Sequence, residues 1–210
     1  MSPIFNFLFE QYSTYDSLDI FLEIVAVAFG FASVWYSKQN NILVFPTGII
    51  STSIFVYLLF KWQLIGDMMI NGYYFIMSLY GWYIWTRKVD GDRVTPISKT
   101  TKKEQFTGVI IFGSALLLVY LVYQFFDMWT NWVAFVDTFT TALFFVGMWL
   151  MAKRKIENWY FWIIADVISV PLYFYKGFTF TSIQYLGFTI LAIFGFLAWN
   201  KHLNNSHLAV

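Results

Sequence analysis

Seven times along its 210 residues the chain runs for about twenty residues with almost no charge, and this leaves it few possible folds. The runs cover roughly 19–37, 42–60, 66–86, 105–126, 130–152, 159–175 and 179–200. A helix of about 20 mostly apolar residues crosses a bilayer. In hydrocarbon the backbone must satisfy its own hydrogen bonds, which such a helix does. The pattern therefore predicts an all-α membrane protein with seven transmembrane helices. Composition agrees: 12% of the residues are charged and 59% hydrophobic, against about 25% charged in a soluble domain. No soluble domain fits between the runs, so residues 1–210 read as a single membrane domain whose solvent is the lipid bilayer. The longest connection, 87–104 ("RKVDGDRVTPISKTTKKE"), reads as polar and flexible. The opening residues carry no Lys or Arg ahead of the apolar ones, unlike a signal peptide. Within them "PIFNFLF" reads as a segment at the membrane interface.

Basic residues set the orientation. Lys38, Arg87, Lys88, Arg93, Lys99, Lys102, Lys103, Lys153, Arg154, Lys155 and Lys201 fall at one end of the predicted bundle, and only Lys61 and Lys176 at the other. Eleven against two predicts the N-terminus outside and the C-terminus in the cytoplasm. The net charge of +1 is spread over short loops and offers no face for nucleic acid.

An internal repeat accompanies this layout. Residues 44–85 lie over 158–199 at an ungapped shift of 114, with identities at Ile49/Ile163, Ile50/Ile164, Ile54/Ile168, Val56/Val170, Leu58/Leu172, Phe60/Phe174, Gly81/Gly195 and Trp85/Trp199. Trp35 and Trp149 share the shift. Helices one to three (19–86) and five to seven (130–200) would form two bundles, with the helix at 105–126 as the linker between them. An odd linker helix gives both bundles one orientation, a 3+1+3 arrangement of parallel repeats. Transporters built this way hold their substrate near the midplane, between the repeats.

Polar residues within the runs are the candidate site. An ionisable residue at mid-membrane costs at least about 2.5–3.5 kcal/mol, so it must be paired, face water or act. Asp166 lies about seven residues into the sixth run, and Trp162 is one helical turn earlier on the same face. An aromatic plane beside a carboxylate suits a flat, positively charged ring. The alternative is a structural Asp hydrogen-bonded to a neighbouring helix. Asp137, in "WVAFVDTFTT", reads equally as a site residue or as helix packing through its threonines. Thr52 is the repeat-mate of Asp166, and Tyr185 that of Asn71, with Gln184 adjacent. Buried amides and hydroxyls at these depths either lock the bundle or bind ligand. Glu157 reads as structural, at a helix start. Lys61 and Lys176 are expected to snorkel from the outer ends.

The missing residues narrow the function. No Lys or Arg lies in mid-membrane, so an unphosphorylated substrate is expected. The seventh run holds no lysine for a retinal Schiff base. There is no HExxH, GxSxG or ATP-binding loop, both histidines (His202, His207) sit in the tail, and Cys is absent. No enzyme activity and no cofactor are expected. Two other classes stay open on the residues alone. One is a seven-helix membrane sensor. The other is an intramembrane enzyme pairing Asp137 with Asp166, which needs the two carboxyls within roughly 3–7 Å.

The segment "ENWYFWIIADVISV" (157–170) resembles the sixth-helix signature of the PnuC-type vitamin transporters, in which E-N-W, W-x-x-x-N and V-I-S-V follow one another. "YGWYIW" (80–85) is similar to that family at the end of the third helix. The resemblance covers nearly the whole chain. It implies uptake of nicotinamide riboside, or of another ring-bearing vitamin such as thiamine or riboflavin, by facilitated diffusion across a bacterial inner membrane. It further implies a homotrimer and functional coupling to a cytoplasmic kinase that phosphorylates the substrate. Trp162 matches the motif's Trp and inherits a ring-stacking role. Asp166 stands where the riboside transporters have Asn. An amide donates and accepts hydrogen bonds, whereas a carboxylate only accepts. Asp166 therefore also suits the aminopyrimidine and cationic ring of thiamine. Nicotinamide riboside, a pyridinium cation, stays compatible with it.

Overall fold

The computed structural model describes residues 16–62, 65–89, 93–127, 129, 132–176 and 179–208. The "PIFNFLF" segment lies outside them. Each apolar run forms a helix: α1 (Ser17–Lys38), α2 (Val44–Lys61), α3 (Ile65–Thr86), α4 (Lys102–Phe125), α5 (Trp132–Ala152), α6 (Asn158–Tyr175) and α7 (Thr179–Leu208). Boundaries agree with the sequence reading to within four residues except at α7, which runs eight residues further, to Leu208. That extension, "KHLNNSHL", is polar but holds no Pro or Gly to stop a helix. Among the described residues, five helices are long and apolar enough to cross a membrane by themselves. The other two, α3 and α6, carry Asp67 with Asn71 and Asp166. Their polar residues need a neighbouring helix or a cavity rather than lipid.

Consecutive helices joined by short turns pack side by side and so run antiparallel. Two three-helix groups result, α1–α2–α3 and α5–α6–α7. They meet where α1 packs on α7 and α3 on α5, while α4 lies mainly against α5.

The two groups share local construction. After α1, Asn40 takes a left-handed φ of 55°, Asn40 N–H donates to Ser37 O and Asn41 N–H to Tyr36 O at 2.9 Å. After α5, Arg154 takes the same φ of 55°, Arg154 N–H donates to Met151 O and Lys155 N–H to Leu150 O, again at 2.9 Å. Every one of these positions is separated by 114 residues from its counterpart. Left-handed closure of a helix end is natural for Asn and uncommon for Arg. Arg154 is held there by its surroundings: its guanidinium stacks 4.1 Å from the Trp85 ring centre and donates to the Thr95 carbonyl. Burial lowers its pKa to about 10, so it remains charged at neutral pH.

The same spacing governs the core at this basic end of the bundle. The ring of Phe45 meets Trp85 edge-on at 5.0 Å and 89°, and the ring of Trp159 meets Trp199 at 5.5 Å and 89°. Trp85 and Trp199 touch each other at 6.0 Å, which joins the two groups. All four rings are at most 2% exposed. Each pair needs a glycine: a Cβ on Gly81 would lie 2.2 Å from the Phe45 ring, and one on Gly195 2.4 Å from the Trp159 ring.

Residues 93–101 of the long connection are not the loose loop their composition suggests. Strands β1 (Lys88–Val89) and β2 (Arg93–Val94) pair antiparallel, and the residues after them lie across the basic end. Ser98 N–H donates to Arg154 O, Ile156 N–H donates to Ser98 O, and Ile97 is 6% exposed. Glu157, expected to complement a helix start, accepts Thr100 N–H at 3.0 Å instead. A capping box of Thr101 and Glu104 then starts α4. Glu104 also pairs with Lys153 at 3.2 Å and Lys155 at 3.0 Å. Replacing Arg154 with alanine removes a buried cation–π contact and a hydrogen bond, together worth about 2 kcal/mol or more. Local opening of the strap should rise roughly thirtyfold. Faster trypsin cleavage at Lys99, with the helices intact, is the expected result.

Candidate functional site

A cavity of about 230 Å³ lies between the two helix groups. Six of the seven residues expected from the sequence line it: Thr52 from α2, Asn71 from α3, Trp162 and Asp166 from α6, and Gln184 and Tyr185 from α7. Residues spaced three, four or seven apart on a helix share a face, which is why Trp162 and Asp166 point to one wall.

Asp137 does not line the cavity. Its carboxylate pairs with Lys176 at 2.8 Å and receives the Tyr123 hydroxyl at 3.4 Å. Lys61 is held in the same way by Asp19 at 2.7 Å and Asp16 at 3.0 Å. Both lysines are thus ion-paired at the far end of the bundle. Asp137 is committed to Lys176, whereas Asp166 lines the cavity.

Asp166 is 2% exposed. Among the described residues nothing hydrogen-bonds or ion-pairs with its carboxylate, although Tyr74 and Tyr185 lie near enough to interact with it electrostatically. An ionised carboxylate without a partner in a low-dielectric interior is costly by several kcal/mol. The structural alternative, an Asp hydrogen-bonded to a neighbouring helix, has no such bond here. A cation or a hydrogen-bond donor entering the cavity would supply the missing partner.

Rings surround that carboxylate. Phe144 lies 5.5 Å from Trp162 and stacks on Tyr185 at 5.9 Å, and Tyr74 lies 6.3 Å from Trp162. Gly147 leaves room for the indole, since a Cβ there would come within 3.4 Å of the Trp162 ring. The other expected polar groups are partly engaged. Thr52 Oγ1 donates to Gly48 O at 2.8 Å, a bond within its own helix, and Asn71 Nδ2 donates to Asp67 O at 3.0 Å. Both retain acceptor capacity. Ser51, beside Thr52, donates to Ala26 O at 2.8 Å and ties α2 to α1.

Sequence reasoning missed several lining residues, among them Tyr74, Phe144, Phe188 and Ser78. In a chain that is 23% aromatic, single rings carry no signal. The repeat does carry one. Tyr74 and Phe188, Gly30 and Phe144, and Ser78 and Ala192 are pairs at the 114-residue spacing, and both members of each pair line the cavity.

Comparison with known proteins places this architecture. Residues 20–201 match the family model described as nicotinamide mononucleotide transporter. The chain is 24% identical over 204 residues to the nicotinamide riboside transporter PnuC of Escherichia coli, covering 85% of this chain and 84% of that one. It is also 24% identical over 192 residues to the riboflavin/roseoflavin transporter RibM of Streptomyces davaonensis, covering 90% and 89%. The crystal structure of the vitamin B3 transporter PnuC matches the fold with a TM-score of 0.67 at 20% identity, over 97% of this chain and 91% of that one. The family is one of transporters and not of enzymes. With the family model spanning nearly the whole of its seven-helix architecture, the chain belongs to the nicotinamide mononucleotide transporter family.

Proposed function

We propose that this protein takes up nicotinamide riboside across a bacterial inner membrane by facilitated diffusion. The observation that carries the reading is Asp166, a buried carboxylate with no partner among the described residues, one helical turn from Trp162 in an aromatic cavity. A pyridinium ring stacked on Trp162 and neutralised by Asp166 satisfies both groups. Relatives in Escherichia coli and Neisseria mucosa that carry the riboside transporter name support this choice of vitamin.

Thiamine is the second reading. A carboxylate accepts hydrogen bonds only, which fits an aminopyrimidine better than a carboxamide that both donates and accepts. The riboflavin-named relative makes that vitamin a further candidate within the same family.

The mechanism is alternating access by two parallel repeats, residues 19–86 and 130–200, joined by the linker helix at 105–126. The duplicated turns, the paired glycine sockets and the lining pairs at the 114-residue spacing support the duplication. The groups rock about the site, exposing it to one side at a time. Eleven basic residues against two support an outside N-terminus and a cytoplasmic C-terminus. Assembly as a homotrimer and trapping of the substrate by a cytoplasmic kinase follow from the resemblance and complete the proposal.

Uptake into proteoliposomes tests the mechanism. With the membrane potential clamped at zero, labelled nicotinamide riboside should equilibrate to equal concentrations inside and out. Accumulation above the outside concentration at zero potential, driven by an imposed proton or sodium gradient, would overturn facilitated diffusion.

A further inference from the structure

At the basic end the cavity is floored by a column of stacked groups. Trp159 lines the cavity. Its ring meets Trp199 at 5.5 Å, Trp199 meets Trp85 at 6.0 Å, and the Arg154 guanidinium lies 4.1 Å from the Trp85 ring centre. Arg154 then donates to the Thr95 carbonyl, and its own carbonyl accepts Ser98 N–H at 3.1 Å. The column thus runs from the cavity to the strap, and its three indoles are at most 2% exposed.

The column also joins the two helix groups. Trp85 belongs to the first, whereas Trp159, Trp199 and the turn at Arg154 belong to the second. Trp199 Nε1 donates back to Ser37 O of the first group at 2.8 Å. At the far end the lysines pair within their own groups instead, Lys61 with Asp16 and Asp19, and Lys176 with Asp137. Groups that rock must part the column to open the basic end.

A permanent floor would have its polar atoms paired. Among the described residues, eight buried side-chain polar atoms lack a hydrogen-bond partner, and six of them lie at the basic end, on Ser37, Asn40, Trp85, Arg154, Asn158 and Trp159. Closing the column withdraws these atoms from water and gives them nothing in exchange. Arg154 also holds left-handed backbone, at a φ of 55°, which is costly for a residue with a Cβ. Against these costs stand the ring contacts and the hold of Arg154 on Trp85 and Thr95. Opening the column would return the unpaired atoms to water and release the backbone.

We infer that Trp85, Trp199 and Arg154 form a gate at the basic end, with Arg154 as the latch that keeps it shut. Release of Arg154 from Trp85 and Thr95 lets the first group swing away from Trp199 and opens the cavity to that side. This rests on the alternating-access reading, but on no particular vitamin.

The chain holds no Cys, so a single introduced cysteine reports alone. Ser78 lines the cavity seven residues from Trp85, about 10 Å along α3 and behind the column. Phe55 lines it six residues, about 9 Å, from the far end of α2. Full-length protein carrying Ser78→Cys or Phe55→Cys, in membrane vesicles of either orientation, is labelled with a membrane-impermeant maleimide, the first through the basic end and the second through the far end. Adding Arg154→Ala should speed labelling of Ser78→Cys and slow that of Phe55→Cys, because opening one side closes the other. The ratio of the two rates should rise roughly thirtyfold. Arg154→Gln, which can still donate to Thr95 but has no charge to stack, should shift the ratio in the same sense by less, and it carries the test if the alanine variant does not fold. No substrate is needed, so an error in the choice of vitamin leaves the result readable. Faster labelling at both positions, an unchanged ratio, or faster labelling of Ser78→Cys with none lost at Phe55→Cys would overturn the gate.

Discussion

Replacing Asp166 with alanine is expected to abolish saturable substrate binding while the protein still inserts, assembles and melts no lower than wild type. Both halves of that result follow from one observation. The carboxylate is 2% exposed and unpaired among the described residues, so it contributes nothing to holding the helices together. Removing a buried carboxyl that has no partner relieves a desolvation cost in the empty protein. In the proposed complex the same carboxylate pairs with the ring. Truncating one partner of a buried charge pair costs about 2–5 kcal/mol, a loss of roughly 30- to several thousand-fold. Asp166→Asn separates the two vitamins. An amide both donates and accepts, so nicotinamide riboside should lose the charge pairing but keep a hydrogen bond through its carboxamide and bind more weakly, whereas a ligand with no such bond to offer should be lost. A fall in the melting midpoint of Asp166→Ala, with binding proportionately reduced, would return the residue to a structural role.

Gly195→Ala should have the largest effect on stability. The added Cβ would lie 2.4–2.6 Å from three atoms of the Trp159 ring, which is 2% exposed. That ring has nowhere to go, because Trp199 meets it edge-on at 5.5 Å and Trp199 Nε1 donates to Ser37 O at 2.8 Å. Overpacking a filled core costs typically about 1–3 kcal/mol, and more where the neighbour cannot rotate away. A large drop in melting midpoint, or no recoverable folded protein, is expected. Gly81→Ala presses on Phe45 in the same way, at 2.2 Å, and should be of similar severity. A third substitution, Gly113→Ala, is a control, since a Cβ there meets nothing within 4 Å. Comparable losses at 81 and 195 with none at 113 would agree with two halves built to one plan.

What the sequence revealed depended on how local the information was. The seven helices were legible because hydropathy is a property of each run, independent of its neighbours. The pairing of Trp162 with Asp166 was legible because helical spacing places them on one face. The strap at 95–101 was not. Its polar composition reads as solvent-facing, yet its bonds go to Arg154 and Glu157, more than fifty residues away. Asp137 shows the same limit: the sequence around it does not reveal that it pairs with Lys176, 39 residues on. Ser78, facing Gly48, was hidden because hydroxyls in membrane helices usually pack helices, as Ser33 and Ser51 do. The 114-residue shift was the underused signal: applied to Trp162 it points to Gly48, the open half of the cavity.

Equilibrium binding of nicotinamide riboside, thiamine and riboflavin to the purified wild-type protein and to Asp166→Ala tests whether the cavity at Asp166 binds a ring-bearing vitamin. Saturable binding of nicotinamide riboside to the wild type, lost in Asp166→Ala at an unchanged melting midpoint, is the predicted result. Unaltered binding of any of the three to Asp166→Ala, or no saturable binding of any of them to the wild type, would contradict it.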